Sequence, residues 1–174
     1  VYLYHAQLFA YETEFSENAA GSQAGLSSDD NTAGGAIAAS SDSQIVAYRC
    51  SFTGNAAGSG GAIHLTNNFL LECDSCTFTN NSAASKSGGV LHLTKGCEAR
   101  IVRSTLNDNT AIDSGGFAHV SDGSTASVER SEVNRNVVAA GNGGGFAIFD
   151  STLSMLSVNA MSNAAKGFTG SDDR

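Results

Sequence analysis

The sequence predicts an all-β fold, a right-handed parallel β-helix of about six coils at roughly 26–29 residues per coil. Three observations point there. A Phe-x-x-Asn motif recurs at nearly constant spacing, a Gly-Gly pair leading into a short apolar run keeps the same phase, and the residues between them alternate apolar and polar.

The first motif is Phe15-Ser16-Glu17-Asn18, Phe52-Thr53-Gly54-Asn55 and Phe78-Thr79-Asn80-Asn81, with Leu106 to Asn109, Val133 to Asn136 and Ala160 to Asn163 as weaker copies. From Asn55 onward the Asn residues are spaced 26, 28, 27 and 27 apart. The first spacing, Asn18 to Asn55, is 37, which puts about ten extra residues in a loop at about 19–33. The second motif is Gly34-Gly35-Ala36-Ile37, Gly60-Gly61-Ala62-Ile63, Gly88-Gly89-Val90-Leu91, Gly115-Gly116-Phe117-Ala118 and Gly144-Gly145-Phe146-Ala147. Two motifs locked in phase make one repeating unit. Residues 1–174 therefore read as a single solenoid domain, with each coil built from three short strands and three bends.

A coil can bury its apolar face only by stacking on its neighbours. The Asn series (Asn18, Asn55, Asn81, Asn109, Asn136, Asn163) reads as a structural ladder. Each Asn is expected to sit in a left-handed bend and to bond its equivalent on the next coil. Neither Val1-Tyr2-Leu3-Tyr4 nor Gly170 to Arg174 looks like a cap, so further coils or partner proteins are expected over the ends.

The repeated pairing of Phe-x-x-Asn with Gly-Gly-Ala-Ile resembles the repeats of chlamydial polymorphic outer-membrane proteins. Phe52 to Asn55 with Gly60 to Ile63 carries the resemblance best, and Phe78 to Asn81 with Gly88 to Leu91 is close. In that family such repeats form the passenger of an autotransporter. The resemblance therefore implies a pectate-lyase-like β-helix, an adhesive role and an extracellular or cell-surface location. A non-cytosolic lumen within a larger complex is the alternative location.

Composition narrows the function. With 17 acidic residues, 9 Lys and Arg and a net charge of -8, the chain lacks the clustered cations that nucleic acid calls for. No apolar run approaches the ~20 residues of a membrane helix. The leading reading is a non-catalytic scaffold or protein-binding, adhesive β-helix without a cofactor, whose partners are other proteins or further coils. The alternative is a carbohydrate-binding or polysaccharide-cleaving β-helix, a lyase or hydrolase. The acidic residues Asp29, Asp30, Asp108, Asp113, Asp122, Glu129 and Glu132 do not fall in one register, as paired catalytic carboxylates would.

Two sets of side chains are singled out by register. His64, His92 and His119 each follow the first Gly of a pair by four residues and should stack on consecutive coils. They can serve as metal ligands, as a polar contact surface, or as an incidental ladder. Strict alternation places Ile63, Leu65, Leu91 and Leu93 inward. It then turns Val90, Phe117, Phe146 and Ile148 outward with the histidines, as an interface for a partner. Cys50 and Cys76 occupy equivalent places five residues before their Asn, so they are candidates for a disulfide or for stacked thiols, and Cys73 and Cys97 form a second candidate pair. The Cys73-x-x-Cys76 spacing lacks the second ligand pair of a zinc site.

Overall fold

The structure, a computed structural model, describes residues 1–21 and 33–166. It is a parallel β-solenoid of about five turns, with no helix among the described residues. The loop expected at about 19–33 falls mainly on 22–32, outside the described residues.

The coils stack into four sheets rather than three, the fourth lacking a strand from the first coil. The first sheet stacks Tyr2–Tyr4, Ile37–Ser40, Ile63–Thr66, Leu91–Thr94, Ala118–Val120 and Phe146–Ile148. The second stacks Gln7–Tyr11, Gln44–Tyr48, Leu70–Asp74, Glu98–Val102, Thr125–Glu129 and Thr152–Leu156. The third carries the Phe position of the repeat and runs from Glu14–Ser16 through Ser51–Thr53, Thr77–Thr79, Thr105–Asn107 and Glu132–Asn134 to Asn159–Met161. The fourth consists of two-residue strands just after each Asn: Ala56–Ala57, Ser82–Ala83, Thr110–Ala111, Val137–Val138 and Ala164–Ala165. Two residues are too few to show a period, which hides this sheet from a pattern reading.

Every pairing between these strands is parallel and in register, so like residues stack on like. Phe15, Phe52 and Phe78 lie face to face, with centroids 4.7 and 4.8 Å apart and planes 6° apart. Leu106 and Val133 continue that column. Where the phenyl stack ends, Phe117 fills the space edge-on to Phe78 at 6.0 Å. Ile37, Ile63, Leu91 and Ala118 form the facing column from the first sheet, and Ile45, Leu71, Ala99 and Ala126 the one from the second.

The Asn column closes the coil. Asn55, Asn81, Asn109 and Asn136 are fully buried. Each Oδ1 accepts the backbone N–H and the Nδ2 of the preceding coil's Asn at 2.9–3.1 Å. Each Nδ2 also donates to the main chain of the preceding coil, as Asn81 does to the Phe52 carbonyl at 2.8 Å. The left-handed bend expected at the Asn lies one residue earlier, at Glu17, Gly54, Asn80, Asp108, Arg135 and Ser162. A buried amide with four bonds fixes its own backbone, so the residue before it takes the positive φ.

The fourth-to-first corner needs glycine for two separate reasons. Gly88 has a φ of +72°. Gly89 lies so close to the next coil that a Cβ would collide with the carbonyl oxygens of Gly116 and Thr110. In the last coil the equivalent residues are Gly143 and Gly144 rather than Gly144 and Gly145, because Phe146 pairs with Ala118 and Ala147 with His119.

Candidate functional site

The outer face of the first sheet holds the histidines. Along Ile63-His64-Leu65-Thr66 the burial alternates, with Ile63 and Leu65 in the core and His64 and Thr66 on the outside. Register then stacks Ala38, His64, His92, His119 and Ala147 in one row, and Ser40, Thr66 and Thr94 in the next. The imidazole centroids of His64 and His92 are 4.9 Å apart, and those of His92 and His119 are 4.7 Å apart. Phe149 continues the stack at 5.2 Å from His119. Ile148 is not the next member of the row; it pairs with Val120 and packs against the core.

A serine stands five residues before each histidine: Ser59, Ser87 and Ser114, all buried. Ser87 and Ser114 share a hydrogen bond at 2.9 Å, and Ser114 Oγ lies 3.0 Å from His119 Nδ1. The unit is therefore Ser-Gly-Gly-x-x-His, repeated on three coils. The serine at the head of each Gly pair was the signal in the sequence that could have revealed this second column.

Burial shifts His92 and His119 towards their neutral forms. Burial, followed by the neighbouring His64 and His119, lowers the His92 pKa to about 3, with the Ser87 backbone acting in the opposite direction. Burial also lowers His119, against the pull of Asp122 and Asp113. Stacked rings do not converge on one point, and among the described residues no three His, Cys, Asp or Glu are arranged to hold a metal ion. Ser114 and His119 do not form a nucleophile–base pair open to substrate, since the serine is buried and shared with Ser87.

In front of this face runs a groove of about 440 Å³, lined by Tyr2, Ser40, Ser59, His64, Thr66 and Asn67 together with Lys86, His92, Thr94 and Lys95. Among the described residues, those that line it include no carboxylate. Asp122 sits beside it, bonded to Thr94 Oγ1 at 2.5 Å.

The apolar residues placed outward with the histidines are not there. Val90 and Phe117 are fully buried, and Phe146 is half-buried and packs on the core. The reason is a bulge at the corner. The N–H groups of Val90 and Leu91 both donate to the Phe117 carbonyl, at 2.8 and 3.0 Å, and Ala62 and Ile63 do the same to Val90. Two consecutive residues opposite one turn inward together, so alternation starts one residue later than a strict period assumes.

The disulfide considered for Cys50 and Cys76 is not formed, nor is one between Cys73 and Cys97; all four thiols are free and buried. Residues in register on parallel coils project side by side rather than towards each other. The interaction between the neighbouring Cys73 and Cys76 thiols holds Cys76 below the usual thiol range and Cys73 well above it. Cys97 lies in a separate corner column with Ser124 and Ser151, where each side chain accepts the N–H of the preceding coil.

With this geometry in place, comparison with known proteins locates the repeat. Residues 49–66 and 75–94 match the Chlamydia polymorphic membrane protein repeat. The two segments contain both strong copies of the paired motif and end on Thr66 and Thr94, in the groove. The polymorphic membrane protein repeat is thus matched on the coils that carry His64 and His92. Neither the curated proteins nor the solved structures gave a match.

Proposed function

We propose that the chain is a non-catalytic β-solenoid scaffold displayed at a cell surface, which presents the grooved outer face of its first sheet to a partner. The observation that carries this reading is the coincidence of the matched repeat segments with the coils that build the groove. The matched repeat is that of a membrane protein family, and the resemblance supports a surface location and adhesion rather than catalysis.

The electrostatics point the same way. Asp74 pairs with Arg103, Asp108 with Arg135 at 2.7 Å, Glu129 with Arg100 at 3.2 Å, and Glu12 with Arg49 at 3.2 Å. Carboxylates engaged with arginines on exposed faces are not placed for acid–base work across a groove. Burial lowers His92 and His119, away from the near-neutral range in which a general acid or base works best.

The test is adhesion by the purified chain. Saturable binding to cells or extracellular matrix, competed by excess chain and lost when Thr66 and Thr94 are both replaced by Arg, supports the reading. Undiminished binding by that folded double variant removes the groove face from it.

A further inference from the structure

We propose that Cys73 and Cys76 form a dithiol site, which closes to a disulfide within one coil by exchange with a low-molecular-weight disulfide.

The bend between the two residues brings their thiols together. Cys73 points into the core from the Leu70–Asp74 strand, stacked between Ala47 and Ile101. Ser75 then takes a left-handed φ of +57°. Beyond it, Cys76 Sγ lies 3.5 Å from the carbonyl oxygens of Ala47 and Asp74. Ala47 is the register partner of Cys73 on the preceding coil, so the Cys76 thiol is directed to the row in which Cys73 stands. Both side chains belong to one core cluster, and each thiol is the largest influence on the other's ionisation.

Among the described coils, this one sets a thiol at both places. The Cys73 row continues with Ala47, Ile101 and Val128, and the Cys76 column with Cys50, Ser104 and Ser131. Cys50 stacks on Cys76, but residues in register on parallel coils project side by side, which leaves Cys73 as the sulfur that faces it. Cys97 stands in the other corner column, with Ser124.

Cys76, the thiol held below its usual range, is the attacking sulfur. Its thiolate displaces one thiolate from the small disulfide and leaves a mixed disulfide on Cys76. Cys73 loses its proton, attacks the Cys76 sulfur and releases the second small thiolate. The departing thiolates take up the two protons that the protein thiols gave. Two electrons pass from the protein to the small disulfide, which ends as two thiols. A surface depression of about 220 Å³, with Tyr48, Glu72, Cys73 and Asp74 in its lining, lies over this part of the coil. Cys76 is 1% exposed, so exchange proceeds through local opening of the bend.

The experiment equilibrates the full chain with oxidised and reduced glutathione, once from the folded chain and once by refolding in the same buffer. After an acid quench, the protein is alkylated in denaturant and cut after Glu, Lys and Arg. Residues 73–86 then form one peptide, separated from Cys50 and Cys97. By both routes this peptide should escape alkylation and be lighter by the hydrogens lost in the disulfide, while Cys50 and Cys97 carry the alkyl group. The Cys73–Cys76 link should be roughly tenfold or more in excess over any link to Cys50 or Cys97. Cys50→Ser should keep it, and Cys76→Ser should abolish it with Cys73 left alkylated; circular dichroism should show both variants folded. Alkylation of Cys73 and Cys76 by both routes, or a dominant Cys50–Cys76 link, overturns the proposal. Closure on refolding alone also overturns it, since the folded corner then does not exchange.

Discussion

Asn81 bonds Asn109 twice: its backbone N–H and its Nδ2 reach the same Oδ1, at 2.9 and 3.0 Å. Asn109 in turn donates from Nδ2 to the Phe78 carbonyl at 3.1 Å and to Asn136 at 2.9 Å. Replacing Asn109 by Ala strips partners from four groups in a fully buried column. Unfolding free energy in urea should fall by roughly 3 kcal/mol or more. Ser162→Ala, at an exposed position beside Asn163 in the last coil, should change it by less than about 0.5 kcal/mol.

Two glycines separate crowding from backbone strain. Gly89→Ala drives a Cβ into two carbonyl oxygens of neighbouring coils and should prevent a native fold, seen as loss of cooperative thermal unfolding. Gly123 has a φ of +72° but open space around it, so Gly123→Ala should cost about 1 kcal/mol and leave cooperativity intact.

The cysteines differ by column. Ser104 already accepts the N–H of Cys76 at 3.0 Å, in the column where Cys76 itself stands, and Ser124 plays the same part for Cys97. Cys76→Ser and Cys97→Ser should therefore shift the melting temperature little. Cys73 stacks between Ala47 and Ile101 in the apolar core. Cys73→Ser buries a hydroxyl there and should cost about 1–3 kcal/mol.

Acid should weaken the fold through the histidine row. The folded pKa of His92 is about 3 against an unfolded value of 6.5, so the folded state binds fewer protons between them. That stability is fully present above about 6.5 and is lost as pH falls towards about 3. His92→Gln should flatten the stability profile across this window. The acid loss due to Asp108 and Asp122, whose pKa values lie below the usual carboxylate value of 3.8, should remain at lower pH.

The repeat was legible because its strongest signals are obligatory. A buried amide ladder tolerates only Asn, and the tight corner only Gly, so both recur in the sequence. What was hidden lies at the corners. The bulge that turns Val90 and Leu91 inward together leaves no mark in residue type. Three glycines in a row, Gly143 to Gly145, made the last coil's register ambiguous by one residue. The groove depends on side chains from different segments, Lys86 and Thr94 among them, that only the winding brings together.

The most direct test of surface display with an open groove is amine labelling of intact cells that carry the protein, using a reagent that cannot cross membranes. Mass spectrometry should find the exposed Lys95 and Lys166 modified on intact cells to the same extent as after lysis. Modification of these lysines only after lysis would contradict the account.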